Sequence, residues 1–245
     1  MVRIVGPGRA GRSLAGALGE IGWEVLGLLG RDDRLVDAAS GTDLLVIATP
    51  DAAVAEVAAS VTPVEGCVVA HMAGSLGLDV LAPHARRAAL HPLVSLPNAE
   101  LGSARLRAGA WFAVAGDPLV TAIVTDLGGR SFTVRDEHRA AYHAAAAIAS
   151  NHLVALMGQV ERVAEVAGVP REVFDDLARR SLESVSALGP AAALTGPAAR
   201  GDEATLDRHR AALDASELPA YEAMVDQARR LAAESAPAGV DRCGS

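Results

Sequence analysis

The sequence contains no lysine; all 22 basic residues among its 245 are arginine. That excludes Schiff-base chemistry through a lysine amine and any general acid that must be an ammonium. Asparagine is nearly missing too, standing only at Asn98 and Asn151. Aromatic residues make up 3% of the chain, too few for stacking platforms for single strands. A net charge of −8 argues against a basic face, so no nucleic-acid partner is expected. Two cysteines, Cys67 and Cys243, cannot make a disulfide framework. No H-x-x-x-H, H-E-x-x-H or cysteine cluster occurs, and no metal is expected. A reducing, cytoplasmic setting is the simplest reading. The first residues run into Gly6-Pro7-Gly8, too early for the apolar region of a signal segment. The longest apolar stretch, Ala144 to Met157, is interrupted by Ser150, Asn151 and His152. It falls short of the roughly 18–20 apolar residues of a membrane span, so a buried helix is expected and no membrane partner.

What is present is a large apolar fraction, 51%, enough for a sizeable core. Up to about residue 135, short β-rich runs alternate with helical patterns. Val2–Val5, Glu24–Leu29, Leu44–Thr49, Cys67–His71 and Ala88–Leu93 read as strands, with Trp111–Ala115 and Phe132–Val134 closing the sheet. Arg9–Ile21, Ala53–Ala59 and Leu119–Leu127 read as helices. This rhythm predicts an α/β fold, a Rossmann-like doubly wound, mainly parallel sheet. From Asp136 no strand-like run remains. Glu137–Val166 reads as one long helix, Pro170 opens another, and Gly189-Pro190 and Gly196-Pro197 interrupt the pattern. Asp202 can cap a helix to Leu213, and Glu217–Ala233 forms the last. The predicted organisation is a dinucleotide-binding domain over 1–135, an all-α domain over 136–236 and a flexible polar tail over 237–245. Alanines on several faces between Ala140 and Ala149 let helices approach closely. Burying so apolar a helix asks for more core than about a hundred residues supply, so a homodimer through the helical domain is expected.

Gly6-Pro7-Gly8-Arg9-Ala10-Gly11 fits G-x-G-x-x-G between a predicted strand and a predicted helix, the context that the motif requires. Gly6 makes the turn, Gly8 admits a pyrophosphate, and Gly11 lets the helix pack on the strand. Arg9 and Ala10 place their amides at the helix start. The second strand ends Leu28-Leu29-Gly30-Arg31-Asp32-Asp33, with an arginine ahead of any acid. A guanidinium there suits a 2′-phosphate and favours NADP; Asp32 and Asp33 keep NAD open. Only about twelve residues separate Gly30 from Thr42, so this unit is abbreviated and its adenine side open. Thr49-Pro50-Asp51 ends the third strand, Asp51 being a candidate helix cap, and Ala73-Gly74-Ser75 follows the next. Thr49, Pro50 and Gly74 therefore face the ligand crevice at the strands' carboxyl ends.

Chemistry has three candidate centres. His91-Pro92-Leu93-Val94-Ser95 falls at a strand end, where His91 can donate a proton to a carbonyl or imine and Ser95 can meet substrate. The long helix carries Tyr142, His143, Ser150, Asn151 and His152. His143 and Asn151 are eight positions apart, about 80° beyond two turns, on adjacent faces. In the loop Leu194-Thr195-Gly196-Pro197 through Arg200-Gly201-Asp202, Thr195 and Arg200 can bind an anionic group, or the loop simply links two helices.

Four segments carry a resemblance: the glycine loop, His91-Pro92-Leu93, Tyr142-His143-Ala144 to Ser150-Asn151, and Leu194-Thr195-Gly196-Pro197 through Asp202. Together they resemble a little-characterised bacterial family that pairs a Rossmann-like NADP-binding domain with a C-terminal domain of unknown function. More widely the chain is similar to pyrroline-carboxylate, ketopantoate and imine reductases and hydroxyacid dehydrogenases, whose helical domains are 6-phosphogluconate dehydrogenase C-terminal-like. The resemblance implies an NADP-dependent reductase of a small carbonyl or imine compound, a carboxylate among the candidates, with the substrate in an inter-domain cleft. Several of those relatives place a lysine one helical turn before an asparagine. If Asn151 takes the asparagine place, the lysine place holds Ala147, so His91 or His143 must handle the proton. A non-catalytic dinucleotide-binding or sensing protein, and a helical dimer with a vestigial loop, stand as the alternatives.

Overall fold

A computed structural model describes residues 1–235; the predicted tail 237–245, with Cys243, lies outside the described residues. The chain divides into two compact units, residues 1–150 and 151–245.

The first unit is built on strands that the apolar runs dictate. β1 (Val2–Val5), β2 (Val25–Leu29), β3 (Leu44–Ile47), β4 (Val68–His71), β5 (Arg86–Pro92), β6 (Trp111–Gly116) and β7 (Arg130–Phe132) form one sheet of order β2-β1-β3-β4-β5-β6-β7. The first five run parallel; β6 is antiparallel to β5, and β7 parallel to β6. Every residue of β3 and β4 is buried, as both faces of a central parallel strand must be. One face packs under α1 (Arg9–Glu20), α3 (Ala99–Leu106) and α4 (Leu119–Asp126), with Leu14, Leu18, Leu106 and Ile123 fully buried. The other packs under α2 (Val54–Ser60), with Val54, Ala58 and Leu81. Each buried valine, leucine or isoleucine among them contributes about 1.5–3 kcal/mol by leaving water.

The abbreviated stretch after β2 contains neither helix nor strand from Gly30 to Asp43. The Arg3 guanidinium holds it instead, donating to the carbonyls of Ala38 at 2.6 Å and Ser40 at 3.2 Å. Helix α3 is absent from the predicted elements. Its signal was local: Asn98, one of two asparagines, accepts from the Leu101 amide at 2.9 Å and caps it. The helix lies close against α1, where a Cβ on Gly102 would stand 2.0 Å from Ser13 Oγ and 2.7 Å from Ser13 Cβ.

The long helical pattern is present but not uniform. α5 (Arg139–Ala147) passes into a π-turn over Ile148–His152 and then α6 (Leu153–Ala167). The two units divide inside that turn, between Ser150 and Asn151, rather than near the predicted boundary at residue 135. The start of the helix belongs with the sheet because Arg139 is buried there and Tyr142 bonds to β5. The π-turn also means that an angle of 100° per residue does not relate His143 to Asn151. The expectation of a helix buried on all sides is not met within one chain: Arg139 alone of α5 is buried, and Val154 of α6 is 72% exposed.

The second unit is helical: α6, α7 (Arg171–Leu188), the short α8 (Pro190–Ala193) and α9 (Pro197–Arg200), α10 (Glu203–Ala212) and α11 (Leu218–Ser235). Gly168 and Gly201 end their helices in the left-handed region, and Asp202 caps α10 through the Thr205 amide. Paired bonds from Arg162 to Glu217 and from Arg210 to Glu222 tie it together. Among its described residues only Ala164, Leu206 and Val225 are fully buried apolar side chains. No described helix is long and apolar enough to cross a membrane.

Gly102→Ala should destabilise the first unit by about 1–3 kcal/mol, because buried Ser13 cannot yield without losing its bonds to Arg9 and Asn98. Urea unfolding measures this, and an unchanged midpoint would refute the α1–α3 packing described.

Candidate active site

The glycine loop occupies the carboxyl end of β1, the strand on which the sheet order turns. Gly6 sits at φ +109, where a side chain is strained, and a Cβ there would stand 2.6 Å from the Ala48 carbonyl oxygen. A Cβ on Gly11 would lie 2.0 Å from the Gly6 carbonyl oxygen, so this glycine lets α1 press on the loop. A Cβ on Gly8 would meet nothing within 4 Å. Two glycines thus serve the packing, and the one between them leaves backbone open to a ligand. No side chain caps α1, and its first turn holds no acid. Arg9 is exposed, Ala10 half-buried, and Arg12 braces the loop by donating to the Pro7 carbonyl at 2.6 Å. The amide end of α1 therefore suits an anion.

Beside the loop opens a cleft of about 530 Å³ whose walls include Gly8, Gly30, Arg31, Thr49 and Pro50. Thr49 Oγ1 is buried with no hydrogen-bond partner among the described residues. Asp33 does not neutralise Arg31; its carboxylate turns back to accept from the Gly30 amide at 2.6 Å. Arg31 forms no ion pair among the described residues. Open glycine backbone, an orphaned hydroxyl and a free guanidinium fit a phosphorylated dinucleotide.

At the carboxyl ends of β4 and β5 a second group converges. His91 Nδ1 lies 2.6 Å from the Tyr142 hydroxyl, and His143 meets the His91 ring edge-on at 5.8 Å. Both imidazoles crowd Gly74, where a Cβ would stand 2.8 Å from His143 Cδ2 and 2.9 Å from His91 Nε2. Phe132 of β7 packs edge-on against Tyr142. Burial holds the Tyr142 hydroxyl above its usual range, so it remains a phenol that can donate. Burial, with the His143 charge second, pushes His91 down to about 4, and the ring is neutral at neutral pH. In the tautomer that accepts from the phenol at Nδ1, the ring proton of His91 is on Nε2, the nitrogen that faces Gly74.

The turn carrying Gly74 is held from three sides. His71, fully buried, accepts from the Ala73 amide at 3.2 Å through Nδ1 and donates to the Gly77 carbonyl at 3.2 Å through Nε2. Both bonds need the neutral ring, and burial lowers the affinity of His71 for a second proton. Ser75 donates to Asp51 at 2.6 Å, so Asp51 anchors this turn instead of capping α2. Gly77 abuts the Asp136 carboxylate.

Of the predicted site residues, Gly6, Gly8, Arg31, Thr49 and Pro50 share the cleft, while His91, His143 and Gly74 meet at the second group. Ser95 lies exposed beyond β5, and its carbonyl accepts from Arg105 at 2.8 Å. Asn151, Thr195 and Arg200 belong to the second unit, and their candidacy rests on the sequence. The roles of His71 and Asp51 were not legible, since the partners of His71 are backbone groups and Ser75 is twenty-four residues from Asp51; Asp136 and Arg139 are three apart, but nothing local marks the burial of Arg139. No group of metal ligands occurs among the described residues.

Residues 30–97 match a Rossmann-like domain, and residues 113–228 match a domain of unknown function, DUF2520. The second match begins within β6, well before the helices. No curated protein matches the chain in sequence. The fold is similar to that of a candidate NADP oxidoreductase of Bacteroides fragilis at 21% identity and TM-score 0.78, covering 94% of this chain and 97% of that one. It is similar to an Aspergillus terreus reductive aminase solved with NADPH4, cyclohexanone and allyl amine, at 17% identity and TM-score 0.69, covering 94% and 93%. A Plasmodium falciparum pyrroline carboxylate reductase with NADP bound matches at 13% identity and TM-score 0.62, covering 94% and 97%. At these identities the likeness is one of fold.

The buried histidines set a pH dependence. An unfolded histidine titrates near pH 6.5, whereas His91 takes its proton only near 4 in the fold. The unfolded chain therefore binds more protons between these values, and stability falls as pH drops through that window. The loss from His91 is on the order of 3 kcal/mol, with His71 adding in the same direction. Urea midpoints at pH 7 and pH 4.5 should show it, with a smaller fall in His91→Gln; equal falls would remove His91 as the cause.

Proposed function

From a chain that joins a Rossmann-like domain to a DUF2520 domain, we propose an NADP-dependent reductase of a small carbonyl or imine compound. The observation that carries this reading is the convergence of His91, Tyr142 and His143 over Gly74, on the sheet edge that also bears the glycine loop. Bound NADPH would supply the hydride. The open backbone at Gly8, with the amides at Arg9 and Ala10, would hold its pyrophosphate on a loop shaped by Gly6 and Gly11, and Arg31 would grip the 2′-phosphate.

The neutral His91 ring offers Nε2–H to the reacting oxygen or nitrogen and polarises it without bringing a charge. Tyr142 keeps that tautomer in place. His143, exposed and edge-on to the same ring, is the group placed to pass on the proton that accompanies the hydride, giving an alcohol or an amine. The two histidines thus divide the work because one is buried and held neutral while the other meets water.

A second copy of the chain completes the helical unit. Val166 at 82%, Leu188 at 63% and Leu177 at 60% exposure are supported by almost no core of their own. Faces of that kind are expected to bury against each other across a two-fold axis.

Two measurements test this reading. NADPH should bind more tightly than NADH, and Arg31→Ala should weaken NADPH selectively by about tenfold or more, as loss of a charge-assisted pair does. No binding of either cofactor would overturn the reductase, and binding without turnover across a carbonyl and imine panel would leave a sensing protein. Sedimentation equilibrium should give twice the chain mass, and a monomer at micromolar concentration would remove the dimer.

A further inference from the structure

Arg139 opens α5 and is 2% exposed. Among the described residues its only acid partner is Asp136, whose carboxylate accepts from Arg139 Nε at 2.7 Å and is itself 67% exposed. Neither Nη of the guanidinium forms a hydrogen bond to another described residue. The side chain as a whole is taken out of water, yet its two Nη groups are donors that the protein leaves unused, and a ligand oxygen can accept from them. One carboxylate that is mostly in water answers only the Nε.

The position of Arg139 says what that acceptor would do. Arg139, Tyr142 and His143 stand at i, i+3 and i+4 and so share one face of α5, with neighbouring side chains about 5–6 Å apart at Cβ. Tyr142 bonds to His91, and His143 touches its ring edge. The Arg139 charge reaches the same place: it disfavours protonation of both His71 and His91. Asp51, held by Ser75, is the opposing charge there and disfavours a second acid group on any ligand.

We infer that Arg139 binds the carboxylate of the substrate, which makes the substrate a 2-oxo or 2-imino monocarboxylic acid. The planar fork of a guanidinium matches a carboxylate by two parallel bonds. Arg139 stands one helical turn before His143 on the face of α5 that meets His91, which favours a ligand whose carboxylate and reacting carbon are adjacent. This assignment rests on the reductase reading of the site and moves the anion contact from exposed Arg200 to buried Arg139.

Oxamate, a 2-oxo acid mimic, and its neutral counterpart oxamide provide the test. Both are titrated calorimetrically into the NADPH-loaded chain and into the chain alone. Oxamate should bind at least about tenfold more tightly than oxamide. Arg139→Gln should abolish that preference while NADPH affinity stays within about twofold, and Arg139→Lys should restore part of it. Equal binding of oxamate and oxamide by the wild type overturns the assignment without recourse to any variant. So does an Arg139→Gln protein that melts like the wild type and still prefers oxamate. A chain that prefers oxamate but binds no NADPH keeps Arg139 as a carboxylate site and loses the reductase.

Discussion

Gly74 lacks a side chain where two imidazoles need the room. His91 comes from β5, His143 from α5, and each would collide with a Cβ at that point. The rest of the unit is arranged around this contact. β4 and β5 are in register so that His71 stands beside Ala89, two residues before His91. His71 then holds both ends of the turn that carries Gly74, and Ser75 ties its middle to Asp51. A looser turn would separate the pair of rings on which any proton chemistry here depends.

The electrostatics follow from burial. His91 is neutral because it is taken out of water next to another histidine, and Tyr142 stays protonated for the first of those reasons. Arg139 cannot escape its charge, so its burial demands partners. Around Gly74 the fold holds a neutral imidazole, an exposed second imidazole and, on the same helix, a buried cation. The scarce aromatic residues are spent beside them: Trp111 meets Phe132, Phe132 meets Tyr142, and Arg130 lies 4.4 Å over the Trp111 ring. That chain of rings shields the hydroxyl that orients His91.

The helical unit has the opposite character. Its caps and ion pairs are in order, yet α7 buries none of its eighteen residues. Caps and surface pairs contribute about a kilocalorie each at most and cannot replace a core. Its exposed apolar faces are the ground on which a second copy of the chain is proposed.

Local patterns in the sequence determined much of this protein. Apolar runs marked the first six strands, because a parallel strand covered on both faces must be apolar; β7, expected over Phe132–Val134, forms instead over the polar Arg130–Phe132 at the sheet edge. The glycine loop was legible because its three roles are set by spacing alone, and Asp202 was legible as a cap because capping is a contact across three residues. Helix α3 passed unnoticed because its cap, Asn98, is a single weak signal on a short segment. Only the tertiary structure decided the chemistry beyond the loop. Tyr142 and His91 are fifty-one residues apart, and no periodicity relates them. The burial of Arg139, the service of His71 to a turn and the π-turn that divides the units depend on what packs against each residue. Contacts between distant residues and the loss of water around them are properties of the folded chain, and they are what turn a list of histidines into a site.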